Sequence, residues 1–304
     1  MTHQINEQEP IYTIGSYLKK YFGQKTIKLS LEGGFTCPNR DGTKGTGGCI
    51  FCSADGSGDF ASDIAGQIQL LSDKWPDSKH LAYFQSYTNT YAPINELREK
   101  YEAVLNNPEI SGLAIATRPD CITDEVYELL SEINQKTFLW VELGLQTIYN
   151  NTANLINRCY TLDVYDEAIQ KLSARNIRTV VHLILGLPGE TKEDMLNSVR
   201  YVCQGPIFGI KLHLLNVVKG SQMEKIYPEY VPFKDMQEYI NLVVDALEII
   251  PSHITIHRMT ADAPRPILIS PEWSFQKRSI LNGIHKELKR RHSWQGKYAD
   301  KTLF

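Results

Sequence analysis

Short apolar runs alternate with longer amphipathic stretches along most of the chain. The runs have the length and composition of buried strands, and the stretches repeat their apolar positions with the period of a helix. The predicted strands cover 27–32, 81–85, 112–117, 138–146, 179–185 and 209–217, with a further strand-like run at 254–259. The predicted helices cover 64–74, 94–105, 124–134, 164–175, 190–203 and 236–249.

Strand and helix alternate at a spacing of roughly 30 residues, which is the length of one strand–helix–strand unit. Because a helix separates successive strands, the chain must cross back over the sheet, and the strands pair in parallel. Continuous apolar runs are typical of strands that are covered on both faces. The pattern therefore predicts an α/β fold with a parallel sheet, closed as a barrel or partial barrel or left open and doubly wound. Both closures place ligands at the carboxyl ends of the strands.

The ends and the apolar runs of the chain give no sign of a membrane or secretory role. The polar N-terminus lacks the positively charged start and apolar run of a signal peptide. No stretch approaches the roughly 18 consecutive apolar residues of a membrane span. We therefore expect a cytoplasmic protein with no membrane partner.

Charge is distributed unevenly along the chain. The net charge is −3, yet residues 274–304 contain eight Lys and Arg against two acidic residues. We place a boundary here, between a core domain at 1–273 and a basic C-terminal extension at 274–304. Such a segment is typical of a polyanionic partner or of a solvated terminal helix, and charge alone leaves both open. The candidate nucleic-acid-binding residues are Lys277, Arg278, Lys286, Lys289, Arg290, Arg291 and Lys297.

Three of the six cysteines crowd into one Gly-rich loop after the first predicted strand. Cys37, Cys49 and Cys52 lie within sixteen residues of one another. Thiolates are the usual ligands of iron–sulfur clusters, and glycines let a backbone fold tightly around a bulky group. A structural zinc would need a fourth Cys or His, and the next histidine, His80, lies beyond an intervening helix. The spacing favours a [4Fe–4S] cluster with one open iron over a zinc site.

The remaining cysteines, Cys121, Cys159 and Cys203, are scattered along the chain. Free cysteine is among the most buried residue types and behaves as a small apolar side chain. We predict this packing role for all three, in preference to a second cluster.

The cysteine loop resembles the cluster-binding loop of the radical S-adenosylmethionine (SAM) superfamily. Its end, Cys49-Ile-Phe-Cys52, has the common Cys-x-aromatic-Cys form, and its long first gap is similar to that of the group related to the Elongator catalytic subunit. Thr117-Arg-Pro-Asp120 also resembles that group. Glu142-Leu-Gly-Leu-Gln146-Thr resembles an element shared with coproporphyrinogen-dehydrogenase-like members, and His182-Leu-Ile-Leu-Gly-Leu-Pro-Gly-Glu-Thr191 resembles the fifth-strand motif.

The resemblance implies a partial, about six-stranded parallel barrel of the TIM-like radical SAM type, with SAM chelating the open iron. The Gly-Gly-Glu element that usually follows the second strand is absent, so hydrogen-bonding side chains at 85–88 are assigned in its place. Ala116 stands where an acidic residue often contacts SAM. The SAM-binding residues implied in this way are Gln85, Ser86, Thr88, Gln146, Arg158, His182 and Asn216.

The same resemblance implies an enzyme whose cluster receives an electron from an external donor of the flavodoxin or ferredoxin type. SAM is then cleaved to a 5′-deoxyadenosyl radical, which abstracts a hydrogen atom from the substrate. The chain most resembles a small single-domain bacterial family tied to maturation of the aminomethyl side chain on the wobble uridine of tRNA. The basic extension and the polar residues Lys211, His213 and Lys219 near the sixth strand favour tRNA as the partner.

Two other functions remain open at this stage. One is a radical SAM enzyme that acts on a small-molecule cofactor or porphyrin precursor, with a C-terminal extension that is merely solvated. The other is a non-catalytic protein that carries a cluster, binds SAM and associates with RNA.

Overall fold

The computed structural model describes residues 5–53, 62–72, 75, 77–261 and 263–299. The strands are β1 (Thr26–Leu31), β2 (Lys79–Phe84), β3 (Ile110–Thr117), β4 (Phe138–Gln146), β5 (Arg178–Leu185), β6 (Gly209–Leu214), β7 (Val217–Val218), β8 (Thr255–Arg258) and β9 (Leu268–Ser270). Seven of them form one curled, all-parallel sheet in the order β1-β2-β3-β4-β5-β6-β8. β7 and β9 form a separate antiparallel pair.

This half-barrel confirms the α/β class and the parallel sheet. The seventh strand of the sheet, β8, corresponds to the strand-like run at 254–259. The predicted sixth strand, 209–217, is longer than the observed one, because the chain leaves the sheet after Leu214 and turns into the short β7.

Helices connect the strands and cover the outer face of the sheet. They are α1 (Ile14–Phe22), α2 (Ile64–Ser72), α3 (Ile94–Leu105), α4 (Asp124–Lys136), α5 (Asn150–Leu155), α6 (Leu162–Ala174), α7 (Lys192–Gln204), α8 (Gln222–Ile226), α9 (Met236–Ile249) and α10 (Lys277–Arg290). Threonines start several of them by accepting a hydrogen bond from the first turn, as Thr123 does for α4 and Thr191 for α7. The six predicted helices are confirmed, apart from the end of 64–74, which lies outside the described residues. Helices α1, α5 and α8 were not predicted, and α10 corresponds to the terminal helix that was one of two interpretations of residues 274–304.

Helix α1 closes the amino-terminal end of the barrel. Leu18 is buried in one apolar cluster with Trp140 of β4, and the ring of Tyr17 packs edge-on against Phe208 at 4.8 Å. Side chains alternate along a strand, so Trp140 faces the interior while its neighbour Val141 joins the core beneath the outer helices. Side chains of the described residues therefore fill this end of the barrel, and the cavity described below opens at the opposite end.

The C-terminal segment packs on the barrel. Helix α10 buries Ile280, Ile284 and Leu288, and Gly283 lets it approach Ile240 of α9 so closely that a Cβ there would lie 2.4 Å from that side chain. After α10, the Gln295 amide bonds the backbone just before β8 and the N-terminal segment before α1. The division at residue 273 stays a prediction, and residues 300–304 lie outside the described chain.

None of the helices in the described ranges combines the length and apolarity that crossing a membrane would require.

Candidate active site

A cavity of about 300 Å³ opens at the carboxyl ends of the strands. Its wall is formed by the cysteine loop (residues 33–53), by strands β2 to β6, and by the segment that follows β8. This is the end of the barrel that the sequence predicted for a ligand, opposite the plug formed by α1. The volume lies at the lower end of the range of about 300 to 1,000 Å³ for small-molecule and cofactor sites.

The three crowded cysteines all line this cavity. Cys37, Cys49 and Cys52 are half-buried, and the Cys52 N–H donates to the Cys49 carbonyl at 3.0 Å, so these two share one tight turn. Gly47 and Gly48 lead into the turn with φ values of 78° and 76°, a conformation that favours glycine. Within the described residues, no three His, Cys, Asp or Glu side chains converge as ligands of a single metal ion.

The cysteine loop is anchored to the chain segment that follows α5. The Asn39 amide donates to the Asn157 carbonyl at 2.5 Å, and the Asn157 amide donates back to the Gly48 carbonyl at 2.8 Å. The Cys159 thiol donates to the Asn39 amide oxygen at 3.0 Å. Cys159 therefore holds the loop rather than only filling space, whereas Cys121 is buried as predicted.

Gln146 ends β4 and points into the cavity. Its backbone has φ 65°, and its side-chain oxygen Oε1 is buried without a hydrogen-bond partner among the described residues. A buried polar atom without a partner costs free energy, so this oxygen is suited to a donor on a bound molecule.

Arg158 also lines the cavity, but it serves mainly to hold the backbone. Four of its N–H groups reach the carbonyls of Leu145, Thr147 and Tyr160 at 2.6 to 3.0 Å. A guanidinium has five N–H donors, so little of its capacity is left for a ligand. Arg158 thereby fixes the turn that presents Gln146.

Of the other residues assigned to SAM, four line the cavity and one does not. Gln85 and Thr88 line the cavity, whereas Ser86 is buried outside its wall and Tyr87 takes its place there. His182 and Asn216 also line the cavity, with partners of their own. These partners are Oε2 of Glu142 for His182, at 2.8 Å, and the Ser274 hydroxyl for Asn216, at 2.7 Å.

A buried carboxylate at the base of the cavity organises a cluster of which only His182 was predicted as a site residue. Oε2 of Glu142 accepts hydrogen bonds from the Tyr83 hydroxyl at 2.6 Å and from the Lys211 ammonium, and it also contacts His182. Oε1 accepts from the Trp140 indole at 2.9 Å and lies 4.0 Å from the ammonium of Lys28. Glu142 is fully buried, and the Lys211 ammonium also donates to the Tyr83 hydroxyl at 2.9 Å.

Burial and shared charge shift the pKa values of this cluster. Burial alone would raise the pKa of Glu142, but Lys211, Lys28 and His182 outweigh it and hold the pKa well below its usual range. Burial lowers the pKa of Lys211 well below its usual value, since one carboxylate shared among several cations offsets only part of the cost. Burial and the charge of Lys211 lower the pKa of His182 to about 4, so its ring is neutral near pH 7.

Lys211 and His213, which the sequence analysis counted among the features that favour tRNA, both point into the barrel. Lys211 is only 2% exposed, and both side chains line the cavity, whereas Lys219 lies on the surface. The available signal was their spacing, since polar residues two apart in an apolar strand share one face.

The basic residues of the C-terminal segment are spread along the height of the barrel. Helix α10 begins next to Ser274, which bonds the cavity residue Asn216, and the chain reaches the amino-terminal end of β8 at Gln295. A helix of 14 residues is about 21 Å long. Lys277 and Arg278 therefore lie near the cavity mouth, and the others lie progressively farther away. These others are Lys286, Lys289, Arg290, Arg291 and Lys297.

Two of these distant cations are paired with acidic groups. Arg291 bonds Asp245 at 2.5 Å and Glu287 at 2.7 Å, and Arg290 bonds Glu287 at 2.7 Å. Arg291 therefore fastens the end of α10 to α9 through Asp245, whereas the charge of Arg290 is paired with Glu287 of α10 itself.

Two sequence families match the chain. The Radical SAM superfamily matches residues 39–202, and the Radical_SAM C-terminal domain matches residues 207–290. The chain is 45% identical over 302 residues to the uncharacterized protein YtqA of Bacillus subtilis, covering 96% of this chain and 94% of that protein. It is 37% identical to the protein YhcC of Escherichia coli, covering 88% of each.

More distant similarity connects the chain to proteins named for tRNA. It is 28% identical over 166 residues to the tRNA uridine(34) acetyltransferase of Methanocaldococcus jannaschii, covering 52% of this chain and 29% of that protein. The fold resembles that of the Methanocaldococcus infernus Elp3, with a TM-score of 0.67 at 17% identity, over 92% of this chain and 68% of that one. From the matches to the superfamily and to full-length relatives, we conclude that the chain belongs to the radical SAM superfamily.

Proposed function

We propose that the protein binds a [4Fe–4S] cluster through Cys37, Cys49 and Cys52 and acts on uridine 34 of tRNA, in maturation of its aminomethyl side chain. The observation that carries the cofactor part is that the three thiols share one cavity with Gln146, whose buried oxygen has no partner among the described residues.

The donor set fits the cofactors that the superfamily uses, a [4Fe–4S] cluster and SAM. Three half-buried thiols on a Gly-rich loop are suited to a cluster that keeps one iron open. A structural zinc ion would need a fourth Cys or His ligand beside the three thiols. When bound, the reduced cluster and SAM supply a 5′-deoxyadenosyl radical that takes a hydrogen atom from the substrate.

The protein's own residues have three tasks around these cofactors. Gln146 offers an acceptor for a donor on SAM, with Gln85, Thr88, His182 and Asn216 completing the wall. Arg158 fixes the β4 turn through backbone carbonyls. The plug formed by α1 and Trp140 excludes water from the amino-terminal end of the barrel, which protects a reactive radical from side reactions.

The tRNA part of the proposal is supported by the relatives and by charge at the cavity mouth. The relatives include proteins named tRNA uridine(34) acetyltransferase, which match about half of this chain. Lys277 and Arg278, at the mouth end of α10, are suited to phosphates of an RNA whose base enters the barrel. An external one-electron donor of the flavodoxin or ferredoxin type would reduce the cluster.

The cofactor part is tested by replacing each ligand in turn. Cys37→Ala, Cys49→Ala or Cys52→Ala should abolish the visible absorbance of the reconstituted cluster and the formation of 5′-deoxyadenosine from SAM. Cys203→Ala is the matched control, because that thiol lies on α7, away from the cavity wall, and it should retain both. A ligand variant that retains the cluster and cleaves SAM would contradict the assignment.

The substrate part is tested by mass spectrometry of tRNA nucleosides from a strain that lacks the gene. We expect a missing or precursor form of the modified uridine 34, restored by the wild-type gene but not by the Cys37→Ala variant. An unchanged nucleoside profile together with normal 5′-deoxyadenosine formation in vitro would indicate a small-molecule substrate. Binding of tRNA and SAM without 5′-deoxyadenosine would indicate a binding protein.

A further inference from the structure

An exposed aromatic ring lies at the rim of the cavity, between β9 and α10. Phe275 is 44% exposed, although the residues before it are held in place. The Ser274 hydroxyl accepts a hydrogen bond from the Asn216 amide at 2.7 Å, and the ring of Trp273 packs against that of Tyr239 in α9, with centroids 5.9 Å apart. Because Asn216 lines the cavity, Phe275 presents its ring to solvent from a fixed backbone next to the cavity wall.

A second planar group lies over this ring. The guanidinium carbon of Arg265 is 4.4 Å from the ring centroid of Phe275, a distance at which a cation is attracted to an aromatic face. Arg265 and Pro266 form the tip of a turn, which the Ile267 N–H closes on the Pro264 carbonyl at 3.1 Å. Both residues at the base of the turn line the cavity, so its tip stands at the mouth. The flanking prolines restrict the backbone of Arg265 and hold it there.

The rim around this pair carries more positive than negative charge. Segments 217–220 and 259–278 contain four basic residues against two acidic ones. The Lys219 N–H donates to the Ile267 carbonyl at 2.8 Å, which places Lys219 beside the turn that carries Arg265. The four basic residues are Lys219, Arg265, Lys277 and Arg278. A surface of this charge favours a polyanion over a neutral or cationic partner.

A single exposed apolar side chain is ordinary on a protein surface, so the exposure of Phe275 indicates nothing by itself. Its combination with a stacked guanidinium and surrounding cations is more specific. Single-stranded RNA is held in this way, since bases stack on aromatic rings and guanidinium planes while cations bind the adjoining phosphates. An RNA strand continues on both sides of a nucleotide that enters the cavity. The bases next to that nucleotide therefore lie at the mouth, where Phe275 and Arg265 are found.

We propose that Phe275 and Arg265 form a stacking site for the nucleobase that adjoins the inserted one in the RNA substrate. The proposal rests on the proposed function in one respect, that the substrate is an RNA whose base enters the barrel. Stacking tolerates any base, because every base has a flat π face. The site therefore positions the strand at the mouth and leaves selection of the target base to the cavity.

The test measures binding of an RNA hairpin, with the sequence of an anticodon stem and loop, to the reconstituted holoenzyme by fluorescence anisotropy. Phe275→Ala should lower the affinity about tenfold, and Phe275→Trp should bind at least as tightly as the wild type. Tyr21→Ala is the matched control, because Tyr21 is 51% exposed and has the guanidinium of Arg178 5.8 Å from its ring. That pair lies at the amino-terminal end of the barrel, so the control should bind like the wild type.

The salt dependence of binding separates stacking from charge. Phe275→Ala removes no charge, so the slope of log affinity against log salt concentration should equal that of the wild type. Arg265→Lys retains the charge but loses the guanidinium plane, and it should weaken binding several-fold with the same slope. Hairpins with 2-aminopurine on the 5′ or the 3′ side of the target uridine report the stack directly. At one of the two positions, the wild type should quench the fluorescence more strongly than Phe275→Ala does.

Equal hairpin affinities of Phe275→Ala and the wild type, or equal quenching by both at each position, would overturn the stacking site and leave the tRNA function standing. Weaker SAM binding by Phe275→Ala with unchanged hairpin affinity would also overturn it, because the ring would then serve the cofactor. The proposed function fails separately, through a wild type that binds no hairpin and an unchanged tRNA nucleoside profile in the deletion strain. That result would reject the stacking site as well.

Discussion

The side-chain amide of Asn39 donates to the backbone carbonyl of Asn157 at 2.5 Å and so joins the cysteine loop to the segment after β4, 118 positions along the chain. The same amide lies 3.6 Å from the sulfur of Cys49, and its oxygen accepts from the Cys159 thiol. One side chain thus connects a proposed cluster ligand with the backbone that leads to Arg158. The shape of the cysteine loop and that of the cavity wall around Arg158 are therefore coupled.

Asn39→Ala should make a reconstituted cluster less durable without preventing its assembly. The variant retains all three thiols but loses the bonds to Asn157 and Cys159, each of which is worth about 1 kcal/mol. We expect the visible absorbance to decay several-fold faster under a chelator. Asn151→Ala, at an exposed position of α5, should decay like the wild type. Equal decay for Asn39→Ala would show that the thiols alone fix the loop.

Gly45→Ala should be more damaging than its small size suggests. A Cβ at this position would lie 2.2 Å from the Asn39 amide oxygen and 2.8 Å from the Cys159 sulfur, so the anchor must move. Overpacking of this kind costs about 1 to 3 kcal/mol. Gly15→Ala is the matched control, because its nearest atom would lie 3.7 Å away in helix α1 and the change should stabilise the fold by up to about 1 kcal/mol.

Chemical denaturation followed by circular dichroism measures both free energies of unfolding. The predicted signs are opposite, with Gly45→Ala lowering stability and Gly15→Ala raising it. If Gly45→Ala were as stable as the wild type, the contact between Asn39 and Cys159 would be loose rather than close-packed.

The sheet could be predicted from the sequence because the patterns that indicate its strands and helices each lie within a short stretch of chain. The apolar runs of β4 and β5 and the amphipathic stretches between them determine strand direction and layer order without any long-range information. The cysteines could be found for the same reason, since Cys49 and Cys52 are neighbours in one loop.

The Glu142 cluster could not be predicted in this way, because its members come from four strands. Tyr83, Glu142, His182 and Lys211 meet only after the sheet curls, and each one alone reads as an isolated polar residue in an apolar run. The burial of Lys211 could not be predicted for the same reason, since exposure depends on which face of β6 the residue occupies. Arg158 lines the cavity, and its assignment to SAM stays a prediction; its hydrogen bonds to backbone carbonyls are a role that no motif reveals.

Acidification should unfold the protein through its buried histidines. The pKa of His182 is about 4 in the folded chain, against a usual value of 6.5, so the unfolded chain takes up the proton first as pH falls. Stability is thus fully present above pH 6.5 and is lost progressively down to about pH 4. For His182 the loss between pH 7 and pH 5 is on the order of 2 kcal/mol. The lowered pKa values of His213 and His257 act in the same direction.

Urea denaturation at pH 7 and pH 5 measures this effect. His182→Gln should reduce the pH-dependent loss by on the order of 2 kcal/mol, because glutamine does not titrate in this range. His285→Gln, at an exposed position of α10, should leave the loss unchanged. If His182→Gln and the wild type had the same dependence on pH, the ring would already be charged in the fold.

The positively charged side chains of α10 should contribute to tRNA affinity only where they lie near the cavity mouth. The double substitution Lys277→Glu with Arg278→Glu reverses two charges at the mouth end of the helix, and Lys286→Glu with Lys289→Glu reverses two near its far end. These pairs are separated by about 12 to 18 Å along the axis, so an RNA whose base enters the cavity meets the first pair before the second.

At one fixed ionic strength, we expect about a tenfold loss of tRNA affinity for the mouth pair and less than twofold for the far pair. The salt dependence of binding should also become shallower for the mouth pair, since fewer counterions are released when phosphate contacts are lost. A larger loss for the far pair would mean that the RNA runs down α10 toward Gln295, and equal small losses would mean that the C-terminal helix does not contact RNA.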